Sequence, residues 1–337
     1  MASRSSRGSS RYWKPDQHGA WPMIFSPVLV GLAWAVSLTS LIGSAGSGDR
    51  GPGGADMLRM SLTTAAVTVA WVAGYLTFFT VGKWLPARRS GNRRILRAAG
   101  VPLACYGSVT AMAVVCAVLL QPHLLWWAVV FAPLTVVSVY EIWRGTPRSL
   151  IAGAAETVTS ALVIAALATT GPGSTSAVTG GITLTRNVFS SEVVASLPPE
   201  LWVTVIWLAL YQVGTVLYVK TMIRERGSRP WWRGSVAFHV VALAVTTATV
   251  FSGDLAVVPW LIAEAVMVRA LWRSWSVPRQ EVFSRRTEEA TGTGGSRKPT
   301  WTPRKVGLAE VPLVVAVTVA GILTAVLFNG PILLYIG

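Results

Sequence analysis

The chain has 337 residues, 52% of them hydrophobic and only 13% charged, with a mean hydropathy of +0.53. Soluble domains carry roughly 25% charged residues, so this composition excludes a soluble core. The formal net charge of +15 invites a nucleic-acid reading, but the placement of the charge excludes it: of 29 Lys and Arg, all but Arg50, Arg59 and Arg186 fall in alternate connectors between apolar runs, with Arg269 and Arg273 counted with the basic connector that follows them.

Residues 1–13 are rich in Ser and Arg and are expected to form a disordered basic tail. The remainder, 14–337, reads as a single integral-membrane helical domain. A bilayer-spanning helix needs about 20 mostly apolar residues. Nine stretches qualify: 21–43, 61–82, 101–120, 124–143, 149–169, 201–223, 235–252, 255–273 and 308–328. The predicted fold class is all-α, a polytopic membrane helix bundle of about nine transmembrane helices. QPH at 121–123 and SGD at 252–254 must then act as tight turns.

The connectors are a Gly-rich loop at 44–56, an outer loop at about 170–200, and inner basic loops at about 83–100, 220–234 and 274–307, with a shorter basic turn at 141–149. Cytoplasmic loops carry the Lys/Arg excess. The N-terminus is therefore expected in the cytoplasm, and the C-terminus, after an odd number of spans, outside. A basic cytoplasmic face attracts anionic lipid headgroups, at about 1 kcal/mol per residue near the surface. Membrane lipids are the expected partners, with no nucleic acid, and a protein partner in the membrane stays open.

Cys105 and Cys116 lie eleven residues apart on one face of the third span. Packing in the core is their expected role. Nothing in the sequence suggests a cofactor or a metal set: P-loop, HExxH and hydrolase-elbow patterns are absent.

Ionisable groups inside a membrane are costly and are candidates for function by default. In KPDQHGAWPM, residues 14–23, Gln17 and His18 stand beside Trp21 where the first span begins. The cluster is either a surface anchor or part of a site. Arg88, Arg89, Arg93 and Arg94 offer forked donors that suit phosphate. Glu141 can pair with Arg144 at i, i+3, and Arg148 follows. An interfacial ion pair is the plainer account of that group. Glu156 shares a helical face with Ser149, Gly153 and Ser160, about 10 Å deep. It needs a proton, a cationic partner or a neighbouring helix to bond. Tyr211, Thr215 and Tyr218 share a face of the sixth span, and they either line a polar pocket or pack. Lys220 points the other way and can snorkel. Glu264 lies inside the eighth span. His239 reads as a structural histidine, and His123, in an outer turn, as incidental.

QHGAWPMIFSPVLVGLAW resembles the signature of the YwiC-like family of bacterial multi-pass membrane proteins, at Gln17, His18, Gly19, Ala20, Trp21, Met23, Pro27 and Gly31. The resemblance implies an integral protein of the bacterial cytoplasmic membrane and brings no activity with it. SPVLVGLAWA and the span plan are also similar to the UbiA superfamily of intramembrane prenyltransferases. That family holds Mg²⁺ and a prenyl diphosphate with Asp-rich motifs in the loops after spans two and six. Here KWLPARRSGNRRILRAAG has no acidic residue and KTMIRERGSRPWWRG has only Glu225. The usual metal-diphosphate site is therefore not expected. Three readings remain: a bundle binding an anionic or isoprenoid-type lipid from the cytoplasmic side, a small-solute transporter, and a non-catalytic subunit of a membrane complex.

Overall fold

The structure is a computed structural model that describes residues 12–15, 20–45, 54–170, 197–251, 255–291 and 301–328. Among the described residues there are nine long helices and no strand. They are α1 (Ala20–Ala45), α2 (Gly54–Arg89), α3 (Arg93–Leu120), α4 (Leu125–Arg144), α5 (Leu150–Ala168), α6 (Pro199–Ile223), α7 (Arg229–Ala248), α8 (Val257–Thr291) and α9 (Pro303–Leu327). Eight are long and apolar enough to cross a membrane, and the chain is an integral membrane protein. The exception is α8, which carries Glu264, Arg269 and Arg273 in its first half.

The helices run further than the apolar stretches. Both α2 and α8 continue through residues expected to be inner loop, because Arg, Lys and Glu favour helix once they reach water. What remains of the 83–100 loop is a turn at 90–92, and that of the 220–234 loop is 224–228. The 274–307 connector is helical to Thr291. Gly91, at φ 65°, and Gly145, at φ 84°, take the left-handed conformation that closes the α2–α3 and α4–α5 turns. Asn92 and Ser149 then cap the helices that follow, accepting from the Ile95 and Ala152 amides.

The chain divides into two compact units, Met1–Pro198 and Pro199–Gly337, where the sequence suggested one domain. In the first unit α2 and α3 pack closely, with the Thr77 and Thr110 hydroxyls 3.1 Å apart. The QPH turn latches the far end of α5. Gln121 donates to the Thr170 carbonyl, the Trp127 indole donates to the Thr169 hydroxyl, and His123 Nε2 bonds the Thr169 carbonyl. His123 is thus part of that latch.

The α1–α5 contact explains two residues of the N-terminal signature. Pro27 has no N–H to give the Met23 carbonyl. The Ser160 hydroxyl of α5 donates to that carbonyl at 2.7 Å, and the Trp71 indole donates to the next one, Ile24. Gly31 lets the backbones meet: a Cβ there would stand 2.8 Å from Leu167 Cδ1 and 3.1 Å from Ile164 Cα. Val28, Val163 and Leu167 form the core cluster alongside.

In the second unit Met222, Tyr218 and Val306 form a core cluster at one end. There Arg226 donates to the Trp301 carbonyl. At the other end the Trp207 indole donates to the Thr249 hydroxyl.

Two expectations change. Cys105 and Cys116 are both exposed, so they do not pack the core; α3 lies against α2 and turns its other faces outward. Tyr12 and Trp13 belong to the expected disordered tail but are held: Tyr106 donates to the Trp13 carbonyl and the two rings meet edge to face. The tail residues before Tyr12, the SGD turn and residues 171–196 of the outer loop lie outside the described residues.

The close approach at Gly31 predicts that Gly31→Ala lowers stability by about 1–3 kcal/mol, the usual cost of overpacking. Gly100→Ala, where nothing lies within 4 Å, should be neutral or stabilising by up to about 1 kcal/mol. Thermal unfolding of both variants in mild detergent checks the contrast.

Candidate functional sites

Two polar groupings stand out, one in each unit. The first is at one end of unit Met1–Pro198, where α2 ends, α3 starts, α4 ends and α5 starts. Arg89 reaches from the end of α2 to α4, donates to the Trp143 carbonyl and lies over the Trp143 ring at 5.4 Å. That bond sets the α2–α3 tip beside the α4–α5 tip. Arg88, Arg89, Arg93, Arg94, Arg144 and Arg148 are all exposed. Arg88 lies over Trp84, and Arg144 over Tyr140. Glu141 is buried, accepts from the Thr146 hydroxyl at 2.8 Å and meets Arg144 at 3.5 Å. It fastens the α4–α5 turn, as the interfacial ion-pair reading has it. The sequence-based candidates Arg88, Arg89, Glu141 and Arg144 therefore lie at one end, with Arg93, Arg94 and Arg148 in the adjoining turns.

Glu156 sits apart from this end, half-buried on α5, with no hydrogen bond or ion pair among the described residues. Among the described residues no cation pairs with it. Trp21 is exposed and stacks on Phe25. Gln17 and His18 lie outside the described residues.

The second grouping is in unit Pro199–Gly337. Glu310, near the start of α9, is surrounded by donors. Its Oε1 lies 2.7 Å from Arg273 Nη1 of α8. Its Oε2 accepts from Tyr211 at 3.0 Å and from Thr215 at 3.4 Å, both on α6. Arg273, buried to 5% exposure, also donates to the Ala309 carbonyl at 2.7 Å and to the Tyr218 hydroxyl at 3.3 Å. Its guanidinium lies over the Tyr218 ring at 5.0 Å. Pro312 stands just beyond, and the carbonyls of Ala309 and Glu310 both take bonds from other helices, the second from Tyr211.

The face Tyr211–Thr215–Tyr218 is thus brought together around one ion pair. Lys220 is not part of it and lies over Trp231 at 4.3 Å. Glu264 is not part of it either: its Oε1 accepts from Thr247 at 2.7 Å. Sequence reasoning missed Arg273 and Glu310. A signal was there: Arg273 closes the span 255–273 and Glu310 opens the span 308–328, so opposite charges fall at one depth in antiparallel neighbours. Among the described residues no three His, Cys, Asp or Glu side chains come together.

Residues 15–168 match the family model described as YwiC-like protein. The match lies within unit Met1–Pro198 and takes in α1 through α5, including Pro27, Gly31, Ser160 and the arginine-bearing tips. The Arg273–Glu310 pair lies beyond the YwiC-like segment. No curated protein and no solved structure matches the chain.

Removing one partner of a buried pair strands the other charge. Arg273→Met or Glu310→Met alone should cost roughly 3–5 kcal/mol, and the double variant should recover most of the loss. Unfolding by titration with a denaturing detergent measures all three.

Proposed function

We propose that the YwiC-like unit binds anionic lipid headgroups at its arginine-bearing end, in the cytoplasmic leaflet of a bacterial cytoplasmic membrane. The observation that carries this reading is the bond from Arg89 to the Trp143 carbonyl, which sets two arginine-bearing tips side by side. Guanidinium groups are forked donors matched to phosphate oxygens. Several of these arginines lie over Trp or Tyr rings. Aromatic rings of this kind settle at the headgroup level, which suits a lipid rather than a soluble anion. The alternation of Lys and Arg along the chain supports the orientation, with the N-terminus in the cytoplasm.

Each arginine near such a surface contributes about 1 kcal/mol. In nanodiscs of mixed phosphatidylglycerol and phosphatidylethanolamine, the purified protein should retain phosphatidylglycerol preferentially. The Arg88→Gln/Arg93→Gln/Arg94→Gln variant should lose more than tenfold of that preference, and raising the salt to 0.5 M should weaken it in the wild type. Mass spectrometry of the retained lipids reads both effects. Equal retention of the two lipids by the wild type would refute the proposal.

A further inference from the structure

A small cavity in unit Pro199–Gly337 is lined by Thr215, Tyr218, His239, Ala270, Arg273 and Glu310. It offers about 10 Å³ for the centre of a water-sized molecule, close to what one water needs. The lipid-headgroup reading uses none of it.

His239 is the group in this cavity whose bonding is incomplete. It is 5% exposed, and its Nδ1 lies 2.7 Å from the Ser235 carbonyl, one turn back on α7. A carbonyl only accepts, so Nδ1 carries the hydrogen and Nε2 of the neutral ring presents a bare lone pair. Nε2 makes no hydrogen bond among the described residues. Gly214 leaves room for the ring: a Cβ there would stand 3.0 Å from Nε2. The carboxylate on the same cavity already accepts from Arg273, Tyr211 and Thr215.

The titratable and charged groups that face this place are Tyr211 and Tyr218 from α6, His239 from α7, Arg269 and Arg273 from α8, and Glu310 from α9. Arg273 and Glu310 cancel, and Arg269 is exposed and lies over Trp272. One unused lone pair on the same cavity as the Glu310 carboxylate can take a cation. Metal ions need several ligand atoms, and the space admits one water. The cation that fits is a proton.

We infer that this cavity is a proton-binding site inside unit Pro199–Gly337: a bridging water delivers a proton to His239 Nε2, and Glu310, held by Arg273, is the anion that stabilises the resulting imidazolium. The N–H bond forms as an O–H bond of a hydronium breaks, which leaves neutral water. The cluster gains one positive charge, and Glu310 is then shared between Arg273 and His239. Such a site gives this unit a means of responding to a proton gradient, independent of any lipid at the arginine-bearing end of the other unit.

The test is nitrogen NMR of the full chain in mild detergent with labelled histidine. Three histidines are present, and the signal missing from His239→Asn identifies the site. In the wild type at neutral pH the ring should be the Nδ1–H form, with magnetisation transfer from water to Nε2. Acidification should protonate Nε2. In Glu310→Gln the anion is lost, so the midpoint should fall by at least one pH unit, a tenfold loss of proton affinity. An unchanged midpoint in Glu310→Gln would overturn the inference. So would a wild-type ring with no water contact, or one still neutral at pH 4. If Glu310→Gln does not fold, the two wild-type readings decide.

Discussion

Hydrocarbon offers a polar group nothing to bond, so a donor or acceptor at membrane depth is stabilised by a partner inside the protein. That constraint organises both units. Threonine hydroxyls along the helices fold back on the carbonyl four residues earlier, as at Thr63, Thr77, Thr157, Thr221 and Thr318. At Pro27, where proline leaves a carbonyl without its amide, a side chain from another helix supplies the bond. Ser160 does this for Met23 opposite Pro27. Pro27 thus becomes a place where α1 is fastened to α5. In the second unit Arg273 and Tyr211 bond the Ala309 and Glu310 carbonyls of α9.

Charge obeys the same constraint in two ways. At the ends of the helices cations lean on aromatic rings, as exposed Arg88 does on Trp84 and half-buried Lys220 on Trp231. Away from the ends, Arg273 and Glu310 neutralise one another and spend their remaining donors and acceptors on Tyr218, Tyr211, Thr215 and Ala309. An internal pair of this kind is weak evidence for stability, since well-packed apolar residues often serve as well. Its cost makes chemical use the more informative reading, and His239 on the same cavity supplies a group that can act.

Much of the architecture was legible because hydropathy reports depth. Each of the nine apolar stretches lies within or largely overlaps a helix, and the polar face of Tyr211, Thr215 and Tyr218 follows from helical spacing. Hydropathy does not report which face meets protein and which meets lipid, so Cys105 and Cys116 read as core although they are exposed. It also ends a span where charge begins, although Arg and Lys continue α2 and α8 without a break. Arg273 was counted with a loop for that reason, and its partner Glu310 went unnoticed. The roles of Pro27 and Gly31 depend on what α5 places opposite them, which no single stretch of sequence contains.

The proposed lipid site needs the arginine-bearing end of the YwiC-like unit to lie in the cytoplasmic leaflet. Side-specific thiol labelling tests that most directly, in a background where Cys105 and Cys116 are replaced by Ala. Ser90→Cys sits at the arginine-bearing end, in the α2–α3 turn, and Asp56→Cys at the other end of α2. An impermeant reagent should label Ser90→Cys in inverted membrane vesicles and not in intact cells, with the reverse for Asp56→Cys. Labelling of Ser90→Cys from outside intact cells would contradict the orientation and the lipid assignment that depends on it.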